Sequence, residues 1–272
     1  MSVVAASWAE VTAPRQPDDL TPELLADLLS RVTERDVAKT IDHSLLRPEL
    51  DDAFVEDGCR LAARYDVASV CVRPADVLRA RAILAATDVA VGTTIGFPHG
   101  NHRTEIKLAE ARLALADGAT ELDMVLPIGA LKSGRDADVG ADIAAIVEVA
   151  HAAGAIVKVI FENAYLTDDE KVRACRLTEF AGGDFVKTST GFAPAGATHA
   201  DLALMRASTS PHVQVKAAGG VRTLDALLAV MALGVTRIGA TATATIIDDF
   251  RARRAGAAPA AVSAAGDGTG VY

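Results

Sequence analysis

The stretch Glu121-Leu122-Asp123-Met124-Val125-Leu126-Pro127 alternates charged and apolar residues before it ends at a proline. Successive side chains of a β-strand point to opposite faces, so Leu122 and Met124 share one face and Asp123 lies on the other. A strand in the wall of a closed barrel has one side against helices and one side facing the interior. The stretch therefore predicts a barrel strand whose apolar residues face helices and whose Asp123 points inward.

Seven further β-branched or apolar runs occur along the chain, and each is separated from the next by a segment long enough for one helix. Several of these segments carry a single apolar stripe at helical spacing. Eight β-α alternations imply parallel strands, right-handed crossovers and a (β/α)8 TIM barrel. An open doubly wound sheet satisfies the same alternation, but no GxGxxG follows the first strand. The predicted strands are 38–42, 67–72, 89–95, 120–126, 156–161, 185–188, 213–217 and 236–239.

The length and composition predict one domain with two extensions. The chain has 272 residues, half of them hydrophobic, which suits a single large core. We expect an N-terminal extension at 1–37 with one helix, opened by Thr21 as N-cap, that packs on the barrel or mediates a dimer. The barrel follows at 38–251. Residues 252–272 are rich in Ala and Gly and predict a flexible tail.

The charge and cysteine content narrow the class of protein. A net charge of −9 and a pI near 5.1 argue against nucleic-acid and membrane partners. Three scattered cysteines are too few for a disulfide framework or a zinc site, and no secretion signal or long apolar run is present. We expect a cytoplasmic protein without metal or other cofactor.

Two lysines end apolar runs: Lys187 in Val-Lys-Thr-Ser-Thr-Gly-Phe at 186–192, and Lys216 in Val-Lys-Ala-Ala-Gly-Gly-Val-Arg at 215–222. A neutral lysine amine can attack a carbonyl and form an imine, which acts as an electron sink for C–C cleavage. A second ammonium about 5 Å away, at an effective dielectric of about 20, lowers a lysine pKa by about two units. The spacing therefore predicts one lysine with a pKa lowered towards about 7–8. By charge alone the two lysines are equivalent, and either could instead close a salt bridge with Asp42 or Glu162.

Polar residues interrupt several of the predicted strands where those strands end. Active sites of such barrels lie at the carboxyl ends of the strands. We therefore expect these residues to meet at one mouth. They are Asp42, Asp123, Glu162, Lys187 and Lys216.

These motifs, together with Asp42-His43-Ser44-Leu45-Leu46, resemble the deoxyribose-phosphate aldolase family over about residues 38–250. The resemblance implies a class I aldolase of deoxyribose catabolism. Such an enzyme reversibly cleaves 2-deoxy-D-ribose 5-phosphate to D-glyceraldehyde 3-phosphate and acetaldehyde through a lysine imine. It also implies that Lys187 forms the imine, that Lys216 tunes it and that Asp123 relays protons. Asp42 resembles the aspartate that pairs with the second lysine.

Three residues have a second interpretation. Asp123 could be a fixed counter-ion rather than a relay. Lys158, on the fifth predicted strand, is either a third participant or a structural partner of Glu162 or Asp123. The chain ends in Tyr272, and the resemblance implies that this phenol assists proton transfer from a mobile tail; a dispensable terminus is the alternative.

A phosphate site is expected in the loops after the last three strands, where backbone N–H groups and a helix N-terminus bind anions. The resemblance also marks two departures: Thr241 and Ala242 stand where many members have two serines, and Phe192 stands where some have a lysine. We therefore expect backbone amides to dominate and the preference for a phosphorylated substrate to be modest. The expected residues are Gly191, Gly219, Gly220, Gly239 and Thr241.

The expected partners are a phosphosugar and further copies of the chain, in a homodimer or homotetramer. Two rival functions remain open at this point. One is an imine-forming aldolase with a different acceptor. The other is a phosphosugar-binding barrel without catalysis, which would bind ligand but trap no imine.

Overall fold

The computed structural model describes residues 14–258, and in it eight parallel strands close into a barrel in chain order, β1 pairing with β8. The predicted (β/α)8 barrel is confirmed, and the doubly wound alternative is excluded by the closure. The strands are β1 Ile41–Leu45, β2 Ser69–Val72, β3 Ala90–Ile95, β4 Glu121–Val125, β5 Ile156–Ile160, β6 Phe185–Lys187, β7 Gln214–Ala218 and β8 Arg237–Ala240.

The helices alternate with these strands, and none in the described part of the chain combines the length and apolarity needed to cross a bilayer. Short 3-10 turns occupy Pro17–Asp19, Pro74–Asp76 and Asn163–Tyr165. The α-helices are α1 Pro22–Arg31, α2 Glu34–Ala38, α3 Asp52–Arg64, α4 Val77–Leu84, α5 Thr104–Ala116, α6 Ile128–Lys132, α7 Asp136–Ala152, α8 Asp168–Phe180, α9 His199–Ala207, α10 Leu224–Ala232 and α11 Thr243–Arg254.

Local capping chemistry sets where several helices begin. At α8, the Thr167 hydroxyl accepts a bond from the backbone N–H of Glu170, and the Glu170 carboxylate accepts one from the backbone N–H of Thr167. This reciprocal pair satisfies two of the free N–H groups at a helix start. Helix α10 ends before Gly234, whose φ of 87° suits glycine. Caps of this kind fix how each helix enters and leaves the barrel wall.

The apolar core lies between the strands and the ring of helices. Leu122 and Met124 of β4 are fully buried there, whereas Asp123 faces the barrel interior. The alternation of β4 therefore has the orientation that its sequence predicts. Consequently the interior of the barrel holds polar side chains, and the stabilising apolar surface is buried outside the strands.

The first strand begins later than predicted. Residues 34–38 form helix α2, because Thr33 and Asp36 make a reciprocal capping box at its start. The strand expected at 38–42 is consequently found at Ile41–Leu45. Asp42 is therefore the second residue of β1 and lies deep in the barrel, not at the carboxyl end of the strand. The expectation that it lies at the mouth is wrong.

The N-terminal extension packs against the barrel. Thr21 caps α1 by accepting a bond from the N–H of Leu24, and Leu28 is buried where α1 meets α10. Helix α11 continues past residue 251 to Arg254, whose guanidinium bonds to backbone carbonyls of α1. The expected limits of the extension, barrel and tail stay predictions. Tyr272 lies outside the described residues.

Candidate active site

Seven charged side chains of residues 14–258 point into the barrel, and they come from six of its eight strands, β1 and β4 to β8. Strand register places them on the inward face, since each alternates with an outward apolar residue. All are at least nine-tenths buried. Four are cations and three are anions: Lys158, Lys187, Lys216 and Arg237, with Asp42, Glu121 and Asp123.

Asp123 is the centre of this cluster. Its Oδ2 accepts hydrogen bonds from the Nζ atoms of Lys187 and Lys216, each at 2.7 Å. The two ammonium nitrogens therefore lie no more than twice that distance apart. The other oxygen, Oδ1, accepts a bond from Lys158 Nζ at 3.0 Å. One carboxylate thus joins all three interior lysines.

The three lysines differ in how many carboxylates surround them. Among the carboxylates of residues 14–258, Lys187 pairs with that of Asp123 alone. Lys216 contacts Asp123 and also Asp42, at 2.5 Å. Lys158 contacts three carboxylates, those of Asp42, Glu121 and Asp123. The amine of Lys187 is therefore the least neutralised of the three, and Lys187 is also the last residue of its strand, β6.

Arg237 and Glu121 form the floor below these lysines, and the sequence interpretation did not include either. The Arg237 guanidinium donates to Asp42 Oδ1 at 2.6 Å and to both oxygens of Glu121 at 2.7 and 2.8 Å. The sequence does indicate that both side chains face the interior, because Glu121 is two residues before Asp123 and Arg237 stands inside a β-branched run. Period-2 alternation puts both on an inward face.

Burial and charge oppose each other in setting the pKa values of this cluster. Burial alone would raise the pKa of Asp123, but the three surrounding ammonium groups hold it well below its usual range. Burial alone would lower the pKa of Lys187, but the adjacent Asp123 carboxylate outweighs it and the pKa is raised. The pKa of Lys216 is raised for the same reason, with Asp42 contributing. The predicted lowering of a lysine pKa by its neighbouring ammonium is therefore wrong for this arrangement.

Glu162 makes no ion pair with these seven side chains, although it lies close enough to Lys187 for that ammonium to affect the pKa of its carboxyl. It follows β5 in a left-handed conformation with φ of 58°, and its carboxylate accepts bonds from the hydroxyl and the N–H of Thr190. Burial raises the pKa of this carboxyl. Its bonds hold the loop after Lys187, and Lys158 pairs with Glu121 and Asp123 instead. Of the five polar residues expected to meet at the mouth, Asp42, Asp123, Lys187 and Lys216 are hydrogen bonded to one another, whereas Glu162 is bonded to Thr190.

The loops after β6 and β7 lie against each other. Gly191, Gly219 and Gly220 have φ values of 89°, 79° and 97°, which only glycine adopts readily. The N–H of Ala197 donates to the carbonyls of Ala218 and Gly219 at 3.0 and 3.1 Å. A Cβ on Gly219 would lie 2.9 Å from the Cα of Gly196, so the close approach also requires glycine. This contact fixes the two loops expected to bind phosphate relative to each other.

The eighth strand and the mouth differ in detail from what the sequence predicts. Strand β8 ends at Ala240, so Gly239 lies within the wall, where a Cβ would be 3.8 Å from Lys216 Cε. Thr241 is exposed in the short link before α11. Phe192 packs edge-on against Phe97, with ring centroids 5.3 Å apart, and is 38% exposed. The mouth therefore has an aromatic rim beside Gly191.

Two small polar groups complete the interior. Cys71 Sγ is 4.0 Å from Asp123 Oδ2, and burial raises the pKa of this thiol to about 11, which keeps it protonated. Ser44, next to Cys71 in the β1–β2 register, has a buried hydroxyl without a hydrogen-bond partner. Within residues 14–258, no group of three or more His, Cys, Asp or Glu side chains is arranged to hold a metal ion.

Comparisons with known proteins identify the family of this chain. The profile of the DeoC/LacD family aldolases matches residues 36–256. The chain belongs to this family. A deoxyribose-phosphate aldolase of Rhodopirellula baltica is 51% identical over 216 residues, which are 79% of this chain and 90% of that protein. One of Thermococcus gammatolerans is 48% identical over 218 residues, covering 79% of this chain and 97% of that protein.

A solved structure extends the comparison with the family to three dimensions. The deoxyribose phosphate aldolase of Aeropyrum pernix superposes with a TM-score of 0.78 at 29% identity, covering 86% of this chain and 99% of the other. That protein is described as a tetramer of unique structure. The similarity spans almost the full length of each relative, so the whole barrel is shared.

Proposed function

We propose that the protein is a class I aldolase that reversibly cleaves 2-deoxy-D-ribose 5-phosphate to D-glyceraldehyde 3-phosphate and acetaldehyde. The observation that carries the proposal is one buried carboxylate, Asp123, bound at 2.7 Å to the amines of both Lys187 and Lys216. Two lysines on one proton acceptor are the parts that imine chemistry needs. The activity named for the relatives supports the choice of substrate.

Lys187 is the proposed nucleophile. An amine attacks a carbonyl only when it has lost its proton, and carboxylate neighbours oppose that loss. Lys187 has one such neighbour, whereas Lys216 has two and Lys158 has three. It also lies at the carboxyl end of its strand, where substrates of these barrels bind. Lys216 and Lys158 are then the cations that stay charged.

The first half of the reaction forms the imine. The Lys187 amine attacks C1 of the open-chain aldehyde, and a proton moves to the carbonyl oxygen to give a carbinolamine. Loss of that oxygen as water leaves a protonated imine. Asp123, hydrogen bonded to the attacking nitrogen, is placed to accept the proton that the amine releases and to return it to the departing hydroxyl.

The second half breaks the C2–C3 bond. The C3 hydroxyl gives its proton through a water molecule to Asp123, and its oxygen becomes the aldehyde of D-glyceraldehyde 3-phosphate. The bonding electron pair moves to C2 to form an enamine, which takes the same proton back at C2. Addition of water then releases acetaldehyde and restores the Lys187 amine. Lys216, bound to Asp123 and Asp42, stabilises the charged carboxylates throughout.

The phosphate is assigned to the paired loops after β6 and β7, with the link before α11. Gly191, Gly219, Gly220, Gly239 and Thr241 are the proposed contacts, and the positive φ of the first three turns backbone N–H groups in ways that other residues do not allow. Phe192 adds an apolar rim and no charge at this end of the site. A modest preference for phosphorylated substrates follows.

Trapping with borohydride tests the proposal. Reduction in the presence of acetaldehyde should add one ethyl group to the peptide containing Lys187 and abolish activity. Lys107 is a built-in control, because it is a fully buried lysine paired with Asp142 outside the barrel interior and should stay unmodified. Label on Lys216 or Lys158 would overturn the assignment of the nucleophile. No label anywhere would favour a binding protein.

We also infer a homo-oligomer in the cytoplasm. The tetrameric relative supports self-association, either as a dimer or as a tetramer. The free, buried thiols of Cys59, Cys71 and Cys175 suit a reducing compartment. Light scattering on the purified protein measures the oligomeric state, and fractionation of cells locates the protein. A monomer at micromolar concentration would contradict the oligomer.

A further inference from the structure

The charged interior of the barrel carries an excess of one positive charge. Its four cations outnumber its three anions, and no other ionisable side chain lies on the inward face of the eight strands except the protonated thiol of Cys71. A buried cluster with one unpaired charge is costly, because the surrounding protein cannot solvate it as water does. Loss of one proton brings the cluster to neutrality.

Arg237 is the cation that creates this excess. It cannot lose its own proton, since a guanidinium stays charged at every pH that proteins tolerate. It is bonded to Asp42 from β1, to Ser69 from β2 and to Glu121 from β4, and its guanidinium lies 5.9 Å from the ring of Phe185. The proton that the cluster gives up must therefore come from a lysine.

Arg237 also competes with the lysines for their carboxylates. Asp42 Oδ1 binds Arg237 while Asp42 Oδ2 binds Lys216. Glu121 Oε2 is shared between Arg237 at 2.7 Å and Lys158 at 2.5 Å. Both carboxylates are thus partly neutralised from below. Less negative charge remains to stabilise the ammonium groups above them.

We propose that Arg237 and Glu121 are a positioning pair that sets the proton affinity of Lys187 from the floor of the barrel, Arg237 lowering it and Glu121 raising it. Neither touches the reacting atoms in the arrangement described. The groups that face Lys187 itself are Asp123, Lys216, Lys158, Cys71 and, from the loop after β5, Glu162. The proposal rests on the imine function proposed above.

Opposite charge changes should move the pH–rate profile in opposite directions. Arg237→Met removes a cation, leaves three cations on three anions and should move the acid limb of kcat/KM upward by about one pH unit. Glu121→Gln removes an anion in nearly the same shape and should move that limb downward by a similar amount. The limb reports the first proton lost by the coupled lysines as a group.

The double variant separates tuning from simple damage. Arg237→Met with Glu121→Gln leaves three cations and two anions, which restores the original excess of one positive charge. The acid limb of kcat/KM for this double variant should therefore return to within about 0.3 pH units of the parent, while the rate itself stays reduced. Arg237→Lys keeps the charge but loses the two-pronged contact with Glu121. Its limb should also stay near that of the parent.

The experiment measures kcat/KM for cleavage between about pH 5 and pH 10, and borohydride trapping of acetaldehyde on the same proteins. Absence of trapping in the parent would refute the imine function. Normal trapping in the parent, with limbs that stay in place in both Arg237→Met and Glu121→Gln, would refute the positioning role alone. If Arg237→Met does not fold, Glu121→Gln decides the question, because an unmoved limb in that isosteric variant overturns the proposal.

Discussion

Lys216→Leu is the substitution that tests most directly how this site produces a free amine. Both Lys187 and Lys216 are 2.7 Å from Asp123 Oδ2, so their nitrogens lie at most about 5.4 Å apart, the sum of the two distances. At an effective dielectric of about 20, two unit charges at that separation repel by about 3 kcal/mol, which corresponds to about two pKa units. Removing Lys216 also leaves Asp123 with one cation fewer, which strengthens its hold on the Lys187 ammonium.

Both effects raise the proton affinity of Lys187. The acid limb of kcat/KM should therefore move upward by about two pH units, and the rate at pH 7 should fall about a hundredfold. The assay follows release of D-glyceraldehyde 3-phosphate across the pH range. A rate within a few-fold of the parent, with the limb in its original position, would refute the reasoning and make Lys216 a structural residue.

Loss of a buried lysine also destabilises the fold, so a matched control is needed. Lys107 is buried to the same degree, bonded to Asp142 at 2.6 Å and to the Val125 carbonyl at 2.8 Å, but lies outside the barrel interior. Lys107→Met leaves Asp142 without this partner and should lower the melting temperature as a broken buried pair does. Its acid limb should not move. A moved limb in this control would show that the shift reports stability rather than charge.

Three further results are expected. Deleting Tyr272 or changing it to Phe should slow cleavage and acetaldehyde α-proton exchange about ten- to a hundredfold without changing the melting temperature, and rates within about two-fold would assign the relay to Asp123 and Lys216 alone. Phe192→Lys should lower KM for phosphorylated but not for unphosphorylated substrate, because it adds a cation beside Gly191; an equal effect on both would place the phosphate elsewhere. The pKa values of Asp42 and Asp123 are lowered in the folded protein, so their ionisation stabilises the fold above the unfolded value of about 3.9 and this stability is lost as pH falls below it. The melting temperature should fall steeply below about pH 4. A constant melting temperature down to pH 3 would contradict the lowered pKa values of these two carboxyl groups.

The alternation of single residues was enough to predict the barrel and the inward direction of its key side chains. Leu122, Asp123 and Met124 illustrate this, because the two-residue period of a strand places neighbours on opposite faces whatever the rest of the chain does. The same period would have placed Glu121 and Arg237 inside. Helix α2 extends to Ala38 and β1 begins only at Ile41, so Asp42 lies deep in the barrel and not at its mouth.

Which of the charged side chains contact each other, in contrast, depends on closure of the barrel. Arg237 meets Asp42 across 195 positions of sequence and Glu121 across 116, contacts that depend on strand order, stagger and tilt rather than on any local pattern. The direction of the lysine pKa shift has the same origin. Two lysines considered alone repel and lower each other's proton affinity, whereas the folded barrel inserts Asp123 between them and reverses the sign. The sequence by itself determined which charges enter the barrel; only the tertiary structure decided which of them touch, because Coulomb energies depend on distances that a strand pattern does not contain.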